Sequence, residues 1–590
     1  MAQTRREPLS ARAITTVRLF FVGLGLSSLI LGYLGLGPYV RSLEAAKQLP
    51  SGDDGTSNLV YFDAELFLLQ SYPLSVGGPP PGPLNFARFS APCVAAYTLT
   101  EIGISVSAAR LRRSRIRRAK GHAVVCGATR AAEVLAARLR AEGTRVVTIV
   151  PETLERPGRE TLCADPRTTH ALLAAGAHRA EMLYACLDRG EDNAQVAGAA
   201  EALRAGRGRP KRIHVLIPDL ELCSALRARR WSLAESRTRH LGFFNPDELA
   251  AQATVRADRA AFDGITPQIA IVGTGAFARS VLVEFAWQWV ARGGAQREPA
   301  RVILIGDEAV ETAAALCGRY AFLPRACRIE PRTEPFEHVL AARWGDPSLR
   351  PLRRLYLCQD DEGEALKAAL DTAAQLHAAF AEVVVRLDRM TAMAAGFRGD
   401  RGGGVLFDAL GGQLRLVDVT GEGCDPALVD DDLAEGLARA CHQRYLTELL
   451  DGGAIPGSTP ALVPWERLAE EYRTANRDQA ADIGRKLAAI GCLLTPRRSG
   501  RPCFRWRDGE LERLAELEHE RWAAERLSHG WVWGAQRDDA AKRHPDLVPW
   551  DLLADRQRER DRRAVRDLPR MLADAGLAIV RIGPGDYPDP

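Results

Sequence analysis

The sequence has 590 residues, of which 46% are hydrophobic and 26% are charged. At roughly 100–200 residues per domain, this length predicts about three to five domains, and the composition excludes a wholly disordered or collagen-like chain. A mean hydropathy of −0.16 excludes a polytopic transporter. The net charge of +4 is too small to predict nucleic acid as a partner.

The 12 cysteines are scattered along the chain, and no two form a C-x-x-C pair. This pattern indicates small core residues in a reducing compartment rather than a disulfide or zinc framework. The sequence therefore predicts no metal site, and His519 beside Glu518 does not change this, since no second ligand stands at metal-binding spacing.

A first membrane span is predicted near the amino terminus. Residues 19–40 contain no charge, and a helix of this length crosses a hydrocarbon core of about 30 Å. A signal peptide is the alternative, but its apolar region would be shorter and would end at a small-residue cleavage site. This run is followed by Arg41 instead.

A second span is predicted over residues 89–109, although Glu101 and several hydroxyl groups weaken its pattern. Arginines precede the first span and a dense basic cluster follows the second, whereas residues 42–87 hold five acidic residues and one lysine. The positive-inside rule then predicts two spans in the cell membrane, with both termini and all globular domains in the cytoplasm. The alternative for residues 89–109 is an amphipathic or buried helix.

Between the spans, a short apolar segment is followed by Ser75, Val76, Gly77 and Gly78. This arrangement resembles the pore loop of two-span cation channels, in which backbone carbonyls replace the hydration shell of the ion. The T-V-G-Y-G sequence of potassium filters is absent, so a monovalent cation is implied without potassium selectivity, and an ordinary linker is the alternative. Glu101 either lines a pore or is neutralised by pairing.

A first nucleotide-binding unit is predicted directly after the basic cluster. Residues 122–127 (HAVVCG) form an apolar run that ends in glycine, residues 128–142 have helical periodicity, and residues 145–150 (RVVTIV) are typical of a second strand. Strand, glycine turn, helix and strand together make the βαβ unit of Rossmann-like folds.

The glycine fingerprint of this first unit is degenerate. Thr129 stands where a second glycine would let a pyrophosphate approach, and the first acid after the second strand, Glu152, comes late. Gly127 and Arg130 are the candidate cofactor-binding residues here, and binding at this unit is left open.

A second unit repeats the pattern with an intact motif. Residues 268–273 (QIAIVG) and 301–306 (RVILIG) are predicted strands, and the turn between them opens a helix. The candidate ligand residues for NAD or another nucleotide are Gly273, Thr274, Gly275, Ala276, Phe277, Ala278 and, after the second strand, Asp307. A purely structural turn is the alternative. A soluble NAD(P)-dependent oxidoreductase is a distant alternative, because no acid/base constellation accompanies the units.

The two units resemble the TrkA-N, or RCK, regulatory domain of potassium channels and uptake systems, over roughly residues 120–260 and, less closely, 266–395. The resemblance rests on HAVVCG, Ala164-Asp165-Pro166, the turn Ala174 to Ala177, and Glu191-Asp192-Asn193. It implies a domain that follows the last membrane helix, senses a nucleotide or an ion, and assembles into a ring, here as a homotetramer.

The last third of the chain contains an internal duplication. His442 and His519 occupy matching positions, and so do Trp465 and Trp550, each within the sequence L-V-P-W. Asn476 and Asp561 also match, each 11 residues after its tryptophan, as do Gly491 and Gly576, each 26 residues after it. Matches at this many positions predict two related, mostly helical modules. Only the second module carries the tryptophan-rich insertion that begins at Gly530.

The second module resembles the ryanodine-receptor (RyR) repeat domain, which also occurs in bacterial proteins. The matching residues are His519, Trp522, Gly530, Trp531, Gly534, Lys542, His544, Pro545, Pro549, Trp550 and Leu553. The resemblance implies a binding module, not an enzyme, for a nucleotide-derived signal. The candidate effector residues are Trp531, Trp533, Lys542, His544, Trp550 and His519, and a core role for the tryptophans is the alternative.

The predicted fold class is an α-helical membrane segment followed by α/β Rossmann-like units and mostly α modules. The predicted parts are two spans with a pore-loop-like segment (1–120), a first RCK-like domain (121–262), a second RCK-like domain (266–398), a connector (399–430), a degenerate RyR-like module (431–500) and a RyR-like domain (508–590). We expect a ligand-regulated, cation-channel-like membrane protein, with a non-conducting membrane-anchored nucleotide sensor as the alternative.

Overall fold

The computed structural model describes residues 11–49, 54–69, 72–151, 160–203, 210–232, 241–262, 266–292, 298–339, 354–371, 382–390, 414–430, 433–500, 503–538 and 540–582. Residues 399–413 of the predicted connector lie outside this part. The chain divides into two compact units, residues 1–115 and 116–590. The predicted fold class is confirmed, since an apolar N-terminal helix is followed by two parallel α/β sheets and a mostly helical C-terminal region.

The N-terminal unit is built from three helices: α1 (Ala11–Ala45), α2 (Thr56–Leu66) and α3 (Gly82–Arg118). Within the described residues, the stretch Thr16–Ala45 is the one helix long and apolar enough to cross a membrane. The second predicted span, residues 89–109, lies inside α3, and its side chains from residue 104 onwards lie outside the described part of the chain. The two-span arrangement therefore stays a prediction.

The helices α1 and α3 pack side by side. The hydroxyls of Ser28 and Ser90 lie 2.6 Å apart, and the rings of Phe21 and Tyr97 stack with centroids 3.8 Å apart. Short hydroxyl-bearing side chains bond to each other here because few other polar groups are available between apolar helices.

The first α/β sheet has six parallel strands in the order β3-β2-β1-β4-β5-β6. Its strands are β1 (Ala123–Cys126), β2 (Val146–Val150), β3 (Thr161–Cys163), β4 (Met182–Ala185), β5 (Arg212–Leu216) and β6 (Leu241–Phe244). Its helices are α4 (Arg130–Ala141), α5 (Thr169–Ala174), α6 (Gly190–Ala202), α7 (Leu220–Ser232) and α8 (Pro246–Ala257). All these strands are parallel, but the chain adds β2 and β3 on one side of β1 and β4 to β6 on the other. This switch in strand order places the ligand crevice at the carboxyl ends of β1 and β4.

The second sheet repeats this topology in the order β12-β11-β10-β7-β8-β9. Its strands are β7 (Gln268–Val272), β8 (Ala300–Ile305), β9 (Cys327–Arg332), β10 (Arg354–Leu357), β11 (Glu382–Leu387) and β12 (Leu414–Asp418). Its helices are α9 (Ala276–Ala291), α10 (Ala309–Arg319), α11 (Leu323–Ala326), α12 (Glu362–Asp371), α13 (Val419–Gly423) and α14 (Pro426–Asp430). The equivalent crevice lies between β7 and β10.

The two α/β units share a hydrophobic core. Val255 of α8, which follows the first sheet, is fully buried in one cluster with Val281 and Phe285 of α9 and with Val419 of α13. Helix α8 thus packs on the helix that begins at the glycine turn of the second unit.

The C-terminal region consists of two modules that each begin with a long helix and end in a strand. The first has α15 (Leu433–Asp451), α16 (Glu470–Ala489) and β13 (Cys492–Pro496). The second has α17 (Glu510–Ser528), the two-residue strands β14 (Val532–Trp533) and β15 (Arg543–His544), α18 (Asp555–Arg566), α19 (Leu568–Asp574) and β16 (Leu577–Arg581).

Strands β13 and β16 pair antiparallel and join the two modules. Leu494 faces Ile579 in this pairing, and both follow a left-handed glycine, Gly491 or Gly576, at the same distance in sequence. Equivalent residues therefore meet across the ladder, which gives the pair of modules a local twofold axis.

Candidate functional site

The glycine turn between β7 and α9 forms a cradle at the carboxyl edge of the second sheet. Gly273 has φ +110°, and a Cβ there would lie 2.8 Å from the carbonyl oxygen of Cys358. Gly275 is the N-cap of α9 and makes no side-chain capping bond. The first amides of α9 therefore face the crevice, and a helix amino terminus of this kind is a site for an anion such as a phosphate.

The candidate residues of this unit are brought to one edge. Val272 pairs with Ile305, so Gly273 and the segment after β8 leave the sheet side by side. Asp307 lies just beyond Ile305 and is exposed. Phe277 and Ala278 are buried in the core, so they contribute backbone amides and packing rather than side-chain contacts with a ligand.

Two residues at this turn were not singled out as ligand residues from the sequence. Arg279 donates from Nε to the carbonyl oxygen of Thr274, 2.7 Å away, which fixes the loop. A Cβ on Gly275 would lie 2.8 Å from Oδ1 of Asp360, which follows β10 and whose side chain is 76% exposed. For Asp360, the sequence signal was an acidic residue shortly after the buried strand β10.

A nucleotide fits the α9 turn if the Asp360 side chain moves away from Gly275. Its phosphate would approach the Asp360 carboxylate, and two like charges repel at this distance. Because Asp360 is exposed, its side chain is free to turn towards solvent. Arg386, whose Nη1 lies 4.0 Å from Asp360 Oδ1, is held mainly by Asp247 at 3.1 Å. Burial raises the pKa of Asp247, and the Arg386 charge opposes that shift.

The equivalent turn of the first unit is built differently. Gly127 has φ +126°, and a Cβ there would overlap the Cys186 carbonyl. Thr129 caps α4: its Oγ1 accepts from the Ala132 amide at 3.2 Å and donates to the Cys186 carbonyl oxygen at 2.6 Å. The residue in the second-glycine position thus occupies the helix terminus with its own hydroxyl.

Arg130, the candidate ligand residue of the first unit, contacts the second unit. Its Nη2 donates to Oδ2 of Asp418 at 2.6 Å, and its Nη1 lies 3.3 Å from Oδ1 of Asp388. On the same helix, Arg138 pairs with Asp425. Two protein carboxylates thus neutralise the arginine, and a nucleotide does not fit this turn unless it displaces them.

The second C-terminal module gathers several candidate effector residues around Trp522. The His519 and His544 rings lie 5.7 Å and 4.9 Å from the Trp522 ring, and Trp531 lies 6.2 Å from His544. Trp550 is 9% exposed and belongs to the hydrophobic core. Burial lowers the pKa of His544, against an opposing effect of Asp546.

The other two candidates remain at the surface. The Trp533 side chain lies in β14 and is 59% exposed. Lys542 has φ +51° and donates from Nζ to the carbonyl oxygen of His529 at 2.9 Å. Arg526 lies over the Trp531 ring at 5.0 Å, a cation–π distance. The Trp531 indole beside the Arg526 guanidinium suits a flat anionic ligand.

Several of the predicted pore residues of the N-terminal unit form hydrogen bonds or ion pairs with its helix α1. Tyr39 donates from its hydroxyl to the Gly77 carbonyl oxygen at 2.6 Å and lies 3.5 Å from that of Gly78. Glu101 pairs with Arg18 at 2.5 Å. Ser75 is exposed and Val76 packs against the local core.

Two segments of the chain match known domain families. Residues 123–228 match the TrkA-N domain, and residues 508–581 match the RyR domain. Among solved structures, the crystal structure of GsuK bound to ADP is 13% identical and covers 71% of this chain and 97% of its own, with a TM-score of 0.34. The GsuK channel is 14% identical and covers 71% of this chain and 96% of its own, with a TM-score of 0.34.

Proposed function

We propose that this chain is a ligand-regulated, cation-channel-like membrane protein whose cytoplasmic part binds a nucleotide at the α9 turn. The observation that carries the proposal is the cradle at Gly273 and Gly275, where a left-handed glycine and a helix terminus without a side-chain cap would hold a phosphate once the Asp360 side chain turns away. The TrkA-N match and the apolar helix that precedes it supply the context.

Each part of the turn has a role in this proposal. The α9 amides hold the phosphate of NAD or another nucleotide, and Asp307 accepts hydrogen bonds from the ribose hydroxyls. Arg279 keeps the loop in its binding conformation through the Thr274 carbonyl oxygen. The core shared by α8 and α9 carries the effect to the first unit. The second RyR-like module senses a further nucleotide-type effector through its exposed tryptophan.

The membrane arrangement belongs to the same proposal. The second span lies in α3, both termini and the globular domains are cytoplasmic, and a homotetramer surrounds the path of a monovalent cation. The basic residues that flank the predicted spans and the acidic segment between them support this topology.

The experiment is reconstitution of the full chain in lipid bilayers, with conductance recorded while NAD, ADP or ATP is added to one side. We expect one nucleotide to change the open fraction, and Gly275→Val to abolish this change because its side chain fills the cradle. Gly198→Val is the matched control, since a Cβ there meets nothing within 4 Å. An unchanged nucleotide response in Gly275→Val would contradict the proposed site.

The second candidate is a non-conducting membrane-anchored sensor. It is favoured by the hydrogen bond from Tyr39, which turns the Gly77 carbonyl towards α1, and by the pairing of Glu101 with Arg18. A carbonyl engaged in this way is not available to an ion. In the same experiment, nucleotide binding without conductance under any condition would select this candidate.

A further inference from the structure

A cavity of about 230 Å³ lies where the two α/β units meet the C-terminal modules. Its walls come from α7 and α8 of the first α/β unit, from α9 and α10 of the second, and from α15 with Trp465 of the first C-terminal module. A protein cavity of about 150 Å³ holds benzene, whereas drug-sized ligands fill about 300–1,000 Å³. The space therefore suits one substituted ring and is too small for a nucleotide.

Three uncharged polar groups of the lining have no hydrogen-bond partner among the described residues. They are the hydroxyls of Ser280 and Tyr320 and the side-chain amide of Gln443. Ser280 is 8% exposed and lies on the same face of α9 as Val283 and Trp287, which also line the cavity. Its hydroxyl therefore faces the enclosed space. Leaving a buried hydroxyl unpaired is unfavourable, so this group points to a ligand.

The Tyr320 hydroxyl faces the same space. Burial raises the pKa of this hydroxyl, so it keeps its proton and remains a donor. The charges of Glu248, Glu221 and Arg227 act on it, and all three side chains line the cavity. Hydroxyl and amide side chains both donate and accept hydrogen bonds. The complementary ligand group therefore presents a donor and an acceptor side by side, as a carboxamide does.

The charged side chains of the lining are already engaged within the protein. Three ion pairs lie along it: Arg227–Glu248 at 2.6 Å, Arg319–Glu221 at 2.7 Å and Arg256–Glu284 at 2.9 Å. Arg279 donates from Nε to the Thr274 carbonyl oxygen at 2.7 Å, and the Arg439 guanidinium lies 5.9 Å from the Trp465 ring. Burying a charged ligand is unfavourable unless it gains a counter-charge. The expected occupant is therefore uncharged.

The apolar part of the lining presents aromatic rings. The Trp287 ring packs against Phe322 with centroids 4.3 Å apart, and the Tyr320 ring lies 6.3 Å from that of Phe322. Phe322 is 4% exposed, so it fixes both rings from the core side. Trp465 adds a third ring from the C-terminal module. Aromatic side chains pair favourably with another ring in stacked or edge-to-face contact.

We propose that this cavity binds an uncharged aromatic amide of a single ring, at a site separate from the α9 turn. The aromatic walls take the ring, and the hydroxyls of Ser280 and Tyr320 with the Gln443 amide bond to its carboxamide. The occupant contacts both α/β units and the first C-terminal module at once. Its binding therefore stabilises their association by mass action.

The test is calorimetric titration of the full chain in detergent with nicotinamide, and with nicotinate as an anion of the same shape. We expect saturable binding of nicotinamide and about tenfold or greater weakening with nicotinate. Ser280→Ala should weaken nicotinamide roughly three- to tenfold, because one hydrogen bond to the ligand is lost. Ser224→Ala is the matched control, since the Ser224 hydroxyl bonds to the Leu220 carbonyl oxygen at 2.9 Å within its own helix.

A second pair of variants tests the location. Gly436 lines the cavity, and a Cβ there meets nothing within 4 Å. Gly436→Phe should fill the space and abolish nicotinamide binding, whereas Gly436→Ala should bind like the parent. Because nicotinamide carries no phosphate, Gly275→Val at the α9 turn should also bind it like the parent. Thermal unfolding of each variant checks that the fold is kept.

Four results overturn the proposal. They are absence of nicotinamide binding in the parent, binding of nicotinate as tight as that of nicotinamide, binding that survives Gly436→Phe, and unchanged binding in Ser280→Ala. Loss of nicotinamide binding in Gly275→Val but not in Gly436→Phe would assign the probe to the α9 turn and overturns it as well. None of these results bears on nucleotide binding at the α9 turn, which is measured with nucleotides.

Discussion

At the residue scale, two equivalent histidines make the same backbone contact. His442 and His519 each bond through Nε2 to a backbone carbonyl oxygen, of Val463 and Val548, at 2.8 Å. The Nδ1 of His519 also lies 3.6 Å from Oδ2 of Asp561. Burial alone would lower the pKa of His519, but the hydrogen bond and charge of Asp561, with the Val548 contact, hold it above its ordinary value.

The Asp561 contact predicts a pH-dependent stability in the second module. A raised pKa in the folded state means that the stabilisation is complete below about pH 6.5 and is lost as the pH rises through the folded pKa. We expect hydrogen exchange of α17 amides, corrected for intrinsic rates, to quicken from pH 6 to pH 8. Asp561→Asn, which copies Asn476 of the first module, should remove this change. A pH response that persists in Asp561→Asn would contradict the assignment.

The buried Trp550 and the exposed Trp533 of the second module predict different effects of substitution. Trp550 is 9% exposed in the core, so Trp550→Ala should destabilise the module by about 3–5 kcal/mol. Trp533 is 59% exposed, so Trp533→Ala should leave the folding intact and weaken a stacked effector by about 1–3 kcal/mol. Thermal unfolding and effector titration of both variants separate the two effects. Unfolding in Trp533→Ala would make it a core residue.

At the element scale, α16 and α17 are joined by a buried ion network. Lys486 contacts Glu518 directly, and Arg521 lies 3.0 Å from the same carboxylate. Lys486 is 3% exposed and Glu518 is 5% exposed. Burial raises the pKa of Glu518, but the charges of Lys486 and Arg521 outweigh it and lower the pKa to about 2. The network therefore stabilises the interface above about pH 4.3 and is lost as the pH falls towards 2.

Removing one partner of this network should lower the free energy of unfolding substantially. Lys486→Met leaves a buried carboxylate with one cation fewer, and we expect a loss of about 3–5 kcal/mol at neutral pH. The double variant Lys486→Met with Glu518→Leu should recover much of it, because Arg521 keeps Glu525 at 3.3 Å, and Asp482, the other carboxylate beside Lys486, keeps Arg485 at 2.5 Å. Hydrogen exchange of α16 and α17 in the full chain measures both. If the single and double variants are equally destabilised, the charge is not the cause.

Helix α13 covers the turn of the first α/β unit through arginines of α4. Arg138 pairs with Asp425 and donates to the Gly421 carbonyl oxygen at 2.5 Å, while Arg130 pairs with Asp418. We expect Arg138→Met to raise hydrogen exchange in residues 419–430 several-fold, because ion pairs and a hydrogen bond hold this segment. Arg140→Met, an exposed position on the same helix, is the control. Unchanged exchange in Arg138→Met would show that apolar contacts alone hold the segment.

These elements also show what the sequence determines by itself. Continuous apolar runs such as QIAIVG and RVILIG predict buried parallel strands, and both are strands in the structure. The three-residue strand Thr161–Cys163 is too short to show a period. Arg130 and Asp418 are 288 residues apart, so only the fold brings them together.

At the scale of the whole molecule, topology is the property most open to direct measurement. Ser57 is exposed in α2, in the segment expected outside the cell. With exposed Cys93 replaced by serine, Ser57→Cys should react with a membrane-impermeant maleimide on intact cells. Native Cys503, also exposed, should react only after permeabilisation. Protection of both thiols in intact cells would contradict the external loop.

The local twofold axis between β13 and β16 has a consequence for stoichiometry. One polypeptide already pairs two copies of the module, with Leu494 opposite Ile579, in the manner of a homodimer. The insertion that carries Trp531 and Trp533 is present in one copy only. Each chain should therefore bind one equivalent of the effector that this insertion contacts, and a four-chain ring should saturate at four equivalents rather than eight.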